Sequence, residues 1–242
     1  MAYGFKCMIV AERACYARSY LKTERCSYDV PTPGALEGTF KSIYWKPAIR
    51  YVIDRIIVFN PIRFVNVKRN EVKDKVSFDS MKSRMENGTR DPVIYADRCR
   101  NQRSSMILTN VRYGVEFHFE LTGLRSEREE MGAEKHSCIL RNRLEKGRYF
   151  RTPCMGCSEF PARSIQPVED FPMDEISPEI IEMGDVDLGY MLYRMNFNDG
   201  GVPLNGNWDE PKYSDRATAL YYRPHMICGV IDVAAYRREL LC

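Results

Sequence analysis

The sequence predicts an α+β fold: strand, helix, strand, strand, helix, strand over residues 1–165, then a small antiparallel β unit over residues 166–242. Three observations carry this. β-prone runs recur through the first part, two stretches of helical spacing interrupt them, and short strand-like runs beyond residue 190 are split by Asn198-Asp199-Gly200-Gly201 and Asn205-Gly206-Asn207.

Phe5 to Val10 is a short β-prone run. Residues 28–33 form an extended approach to a helix, with Thr32 as N-cap and Pro33 at the first helical position, where its missing N–H costs nothing. Leu36, Phe40 and Ile43 recur at helical spacing, and Pro47 stops the helix with Tyr44, Trp45 and Lys46 in its last turn. Residues 50–58 are rich in β-branched side chains, and Pro61 to Val67 continues in the same manner. Residues 70–104 are charged and weakly periodic, as in an insertion or mobile loop. Residues 105–121 alternate, with Met106, Leu108, Val111, Tyr113, Val115, Phe117 and Phe119 as the apolar set and a slip that predicts a bulge or turn near Asn110. A second helix is expected over 133–146, with Ala133, Leu140 and Leu144 on one face and Gly147 as terminator. Residues 150–165 supply the last strand. The order β-α-β-β-α-β is the ferredoxin-like arrangement also used by RNA-recognition folds. Residues 166–187 read as an acidic linker or surface segment, followed by strands over Tyr190 to Phe197 and Ala217 to Val233.

Charge divides the chain more sharply than the net +3 suggests. Residues 1–165 hold 30 Lys and Arg against 19 Asp and Glu, a balance of +11, while residues 166–242 hold 6 against 14, a balance of −8. A basic part joined to an acidic one points to a polyanion partner for the first and a supporting or protein-docking role for the second. No apolar run approaches the roughly 18 residues of a membrane span, and Cys7 to Ala11 is too short for a signal-peptide core. A cytoplasmic chain without membrane contact is therefore expected. Its nine scattered cysteines fit that setting, and Cys154-Met155-Gly156-Cys157, lacking a second pair, reads as buried apolar thiols rather than a zinc or redox site.

The sequence holds no Walker or Rossmann glycine loop, no H-E-x-x-H, no G-x-S-x-G and no carboxylate cluster for a two-metal nuclease. No metal and no cofactor are expected. Metal-free RNA cleavage by 2′-hydroxyl attack requires a base, an acid and positive charge for the phosphorane. Of three histidines only His136 has a lysine, Lys135, beside it, at the start of a helix whose positive end favours phosphate. By periodicity His136 also falls on the apolar face with Ile139 and Leu140, and Tyr44 flanks the Leu36–Phe40–Ile43 face, so packing fits both residues as well as catalysis does.

Ser27-Tyr28-Asp29-Val30-Pro31-Thr32-Pro33-Gly34-Ala35, followed by Ser42-Ile43-Tyr44-Trp45-Lys46-Pro47, resembles the N-terminal signature of the CRISPR-associated Cas-five family. Val52-Ile53-Asp54, Asn60-Pro61-Ile62 and Glu134-Lys135-His136 with Ile139-Leu140 look like its Dvulg, or subtype I-C, branch. The resemblance covers most of residues 5–165 and is looser over the acidic tail. It implies a modified ferredoxin-like domain with a smaller C-terminal β unit. It further implies a metal-independent endoribonuclease that cuts precursor CRISPR RNA within the repeat, at the base of its hairpin. Such a protein leaves a 2′,3′-cyclic phosphate and stays on the RNA in the interference complex, beside the backbone and large subunits. The family's catalytic trio falls on Tyr44, Lys135 and His136, and Lys46, Arg141, Arg143, Lys146 and Arg148 are expected to bind the RNA. Other branches of the family supply the alternative, a non-catalytic subunit that binds the RNA handle. The chain departs from the family between Leu144 and Arg151, where a single glycine, Gly147, replaces a glycine-rich loop.

Overall fold

A computed structural model describes residues 4–21, 23–73, 75–88, 95–124, 132–208 and 210–241. The chain runs β1 (Gly4–Ala14), β2 (Arg25–Cys26), α1 (Pro33–Ile43), β3 (Ile49–Val58), β4 (Phe64–Val72), α2 (Phe78–Glu86), β5 (Arg100–Leu121), α3 (Ala133–Glu145) and β6 (Ser164–Pro167). It continues through α4 (Pro178–Glu182), β7 (Asp185–Asp187), β8 (Met191–Phe197), β9 (Ala217–Tyr222), β10 (His225–Ile227) and β11 (Val230–Asp232). Antiparallel pairing dominates. The main sheet has the order β6-β1-β5-β3-β11-β10-β7, with β2 and β4 also pairing along β5, while β8 and β9 form a separate two-stranded sheet.

α1 begins as its sequence dictates: the Thr32 side chain accepts from the Ala35 N–H, and Pro33 follows at the first position. Its last helical residue is Ile43. Tyr44 is the C-cap, with extended backbone, so Tyr44, Trp45 and Lys46 lie just past the helix rather than in its last turn. Leu36, Phe40 and Ile43 are buried against the sheet, where the Phe40 and Phe117 rings stack at 3.8 Å.

β5 organises the sheet. Its lower half pairs with β4 up to Leu108 and its upper half with β3 from Tyr113, the exchange falling around Asn110, which takes φ +50°. The Asn60 side chain donates to the Asn110 carbonyl at 2.7 Å. The irregularity expected near Asn110 is therefore a change of partner within one continuous strand. Val111, Tyr113, Val115, Phe117 and Phe119 are buried above that point and Leu108 below it, as expected, whereas Met106 is exposed where burial was expected.

Two further expectations are revised. The charged stretch 70–104 is partly strand: residues 70–72 end β4, residues 100–104 begin β5, and α2 lies between them, while residues 74 and 89–94 are outside the described set. The expected strand over 150–165 is mostly irregular, with only residues 164–167 paired to β1. Pro153, Gly156 and Pro161 interrupt ladder bonding there, and an isolated Cys154–Pro161 bridge closes a loop instead. The acidic segment 166–187 buries Ile176 and Ile180, and β11 pairs antiparallel with β3, so much of the C-terminal part extends the same sheet.

Candidate active site

α1 and α3 pack on the sheet so that the C-cap of the first faces the start of the second. Across that contact the Tyr44 hydroxyl lies 2.8 Å from Nδ1 of His136, although the two residues are 92 apart in sequence. Both are interior: Tyr44 is 3% exposed and His136 1%. Their ring centroids are 5.9 Å apart, and the Phe119 ring meets His136 edge-on at 6.3 Å. The imidazole thus has an aromatic wall on one side and a phenol at one nitrogen. Such a pair can exchange a proton, with the donor set by the histidine tautomer.

Neighbouring elements fix the backbone that carries Tyr44. Tyr51, on β3, donates its hydroxyl to the Tyr44 carbonyl at 2.6 Å. Burial, reinforced by the Tyr44 phenol and opposed by Arg143, pushes the Tyr51 hydroxyl well above the usual tyrosine range. It therefore remains a donor at any working pH. Arg143 of α3 donates from Nη1 to the Ile43 carbonyl at 2.7 Å and places its guanidinium 5.2 Å above the Tyr44 ring. The Phe150 and Arg151 N–H groups both donate to the Ser42 carbonyl at 3.0 Å, closing the end of α1.

α3 starts from Gly132 in extended backbone, and the Lys135 N–H reaches the Gly132 carbonyl at 3.1 Å. Lys135 therefore occupies the first turn and is exposed, one residue before the buried His136. The structure brings Tyr44 and His136 into contact and leaves Lys135 at the surface beside them. α3 closes as Gly147 was expected to close it: at φ +60° its N–H bonds the Leu144 carbonyl, and the Arg148 N–H bonds the Arg143 carbonyl at 2.8 Å.

Of the residues expected at RNA, Arg141, Lys146 and Arg148 are exposed, Lys46 is half-buried, and Arg143 is half-buried and engaged with α1. A surface groove of about 910 Å³ runs along the end of α3, lined by Cys138, Ile139, Asn142, Arg148, Tyr149 and Phe150 among others. Tyr149 and Phe150 are 55% and 87% exposed, flat rings beside cationic side chains. Sequence reasoning missed Tyr51, Phe119 and the clamp made by Arg143. The available signals were the parity of Tyr51 and Phe119 on their strands and the seven-residue step from His136 to Arg143, which returns to the same helix stripe. Among the described residues no three His, Cys, Asp or Glu side chains gather as a metal-ligand group, and no helix is long and apolar enough to cross a membrane.

Comparison with known proteins matches the chain to a family. Residues 6–234 fit the Cas5d form of the family described as CRISPR-associated protein (Cas_Cas5). The chain is 34% identical, over 242 residues, to the CRISPR pre-crRNA endoribonuclease Cas5d of Mannheimia succiniciproducens, covering 99% of this chain and 98% of that protein. It is 32% identical over 199 residues to the protein of the same name from Thermus thermophilus, covering 82% of this chain and 76% of that one. A crystal structure from Streptococcus mutans, that of a functionally uncharacterized protein SMU1763c, shares the fold at a TM-score of 0.61 and 20% identity, over 95% of this chain and 91% of that one. The chain belongs to the CRISPR-associated Cas5 family, in its Cas5d branch of subtype I-C.

Proposed function

We propose that the protein is a CRISPR pre-crRNA endoribonuclease that cuts each repeat at the base of its hairpin without a metal ion. One of Tyr44 and His136 removes the proton of the 2′-hydroxyl, and O2′ attacks the adjacent phosphorus. The P–O5′ bond then breaks as the other residue delivers a proton to O5′, leaving a 2′,3′-cyclic phosphate and a 5′-hydroxyl. Lys135, exposed in the first turn of α3 with the positive helix end behind it, offsets charge on the phosphorane. Lys46, Arg141, Lys146 and Arg148 supply cationic side chains for the RNA, and the basic balance of residues 1–165 suits an RNA backbone. The order β6-β1-β5-β3, threaded through α1 and α3, supports reading residues 1–165 as a modified ferredoxin-like RNA-binding and catalytic part, with residues 166–242 as its support. After cutting, the protein remains on the RNA handle beside the backbone and large subunits of the interference complex.

The observation that carries the reading is the 2.8 Å contact between the Tyr44 hydroxyl and His136 Nδ1. In single-turnover cleavage of repeat RNA in chelator, Tyr44→Phe and His136→Ala are each expected to lower the rate about 10²–10⁴-fold. RNA affinity should be retained. Cleavage of a substrate with a 2′-deoxy sugar before the scissile phosphate would refute the attack by O2′.

The burial of that same pair favours a second reading, a subunit that holds the RNA handle without cutting it. Processing left unchanged by His136→Ala would support that reading instead.

A further inference from the structure

Three successive carbonyls at the end of α1 each accept a hydrogen bond from a different element. Ser42 takes the backbone after α3, Ile43 takes Arg143 of α3, and Tyr44 takes the Tyr51 hydroxyl of β3. These bonds hold the backbone under Tyr44 from three sides and leave its ring orientation to side-chain contacts. Arg143 supplies one of them: the guanidinium that donates to the Ile43 carbonyl also lies 5.2 Å over the Tyr44 ring. A planar, delocalised cation can cover a ring face while donating from its edge, which an ammonium cannot do. Arg143 follows His136 by seven residues, so one stripe of α3 presents both the partner of the Tyr44 hydroxyl and the clamp on its ring.

We propose that Arg143 is a positioning residue for RNA cleavage, holding the Tyr44 phenol in register with His136 rather than contacting RNA phosphate. The inference rests on the Tyr44–His136 reading above. Arg143 is half-buried with a hydrogen bond to the chain's own backbone, whereas Lys135, Arg141, Lys146 and Arg148 stand exposed for phosphate contacts. Displacing a reacting group by an ångström costs on the order of 10²-fold in rate, so a clamp on the phenol acts on turnover and not on affinity.

The test uses the full chain as Arg143→Met and Arg143→Lys, with Tyr44→Phe as control. Single-turnover cleavage of repeat RNA is measured beside binding of the 2′-deoxy, non-cleavable repeat at several salt concentrations. For Arg143→Met the cleavage rate should fall at least about tenfold, with affinity within about twofold and an unchanged salt slope. Added methylguanidinium should restore part of that rate. Arg143→Lys should stay impaired, because charge alone does not cover the ring. Weakened binding with a normal rate at saturation, or a shallower salt slope, would make Arg143 an RNA contact and overturn the proposal. If Arg143→Met loses its cooperative melt, Arg143→Lys decides, and a wild-type rate there also overturns it. A normal rate in Tyr44→Phe would remove the underlying reading of the site. Normal rates in both Arg143 variants beside an inactive Tyr44→Phe would remove this inference alone.

Discussion

At the scale of single residues, Cys157 shows how a fold makes a thiol acidic. The Cys15 thiol hydrogen-bonds it, and the guanidinium groups of Arg25 and Arg69 lie nearby, which together hold it below the usual thiol range against the opposing effects of burial and the Glu159 carboxylate. Cys7 has no such neighbours, and burial pushes it up to about 12. A thiol held below the usual range carries more thiolate at neutral pH than an ordinary cysteine and loses it as the pH falls. Brief iodoacetamide treatment at pH 7 should therefore modify Cys157 well before Cys7, and before the exposed Cys138, with Cys157 labelling falling away as the pH is lowered. Peptide mass mapping checks this, and Cys138 reacting first would show the reading wrong. The C-x-x-C spacing was plain in the sequence, but the third cysteine follows the end of β1 and the two arginines come from β2 and β4, which no local pattern connects to it. The proposed catalytic pair had the same difficulty. Periodicity placed Tyr44 and His136 on apolar faces and could not join them; family resemblance did. Tyr51 and Phe119 stayed out of sight because strand parity gives the face of a side chain and not its neighbour.

At the scale of elements, local chemistry was the most readable part of the chain. The Thr32 cap, the Pro33 start and the Gly147 stop each act within a turn of their own position, and all three took the form their residue types require. The loop after α3 was misread as a strand because its shape depends on distant backbone. Thr39 of α1 donates its hydroxyl to the Cys154 carbonyl at 2.9 Å, and the Cys15 N–H donates to the Met155 carbonyl at 3.0 Å. Gly156 then passes so close to β1 that an added Cβ would lie 2.0 Å from the Cys15 carbonyl oxygen, at φ +84°. Gly147 has positive φ but open space around it. The two positions separate backbone strain from steric conflict. Gly147→Ala should cost about 1–2 kcal/mol, the strain of a left-handed residue alone. Gly156→Ala adds overpacking and should cost about 2–5 kcal/mol in urea unfolding. Equal losses would mean that the loop yields without resistance and is not seated on β1 as described.

At the scale of the molecule, the charge division and the sheet follow different boundaries. Residues 1–165 are basic and residues 166–242 acidic, a contrast that favours separate duties in RNA binding and support. The hydrogen bonding makes no such separation. β11 pairs with β3 through Val230–Ile57, Ile231–Ile56 and Asp232–Arg55, and the Val58 N–H donates to the Gly229 carbonyl at 2.8 Å. Arg237 binds the Ile53 carbonyl at 2.9 Å and also the Asp54 carboxylate, tying the region just beyond β11 to the strand that carries Tyr51. Without β11, β3 would present an unpaired edge bearing the buried Ile56, Ile57 and Val58, and Tyr51 holds Tyr44 from that same strand. The two parts that charge divides therefore share one hydrogen-bonded sheet. Ile231 is fully buried in β11, so Ile231→Ala should destabilise the whole chain by about 2–5 kcal/mol. Unfolding should remain a single transition, and amide exchange should accelerate in β3 together with β11. If β10 and β11 instead opened at low urea while β3 kept its wild-type protection, the C-terminal strands would be an appendage, and the support they give to Tyr51 and the site would be refuted.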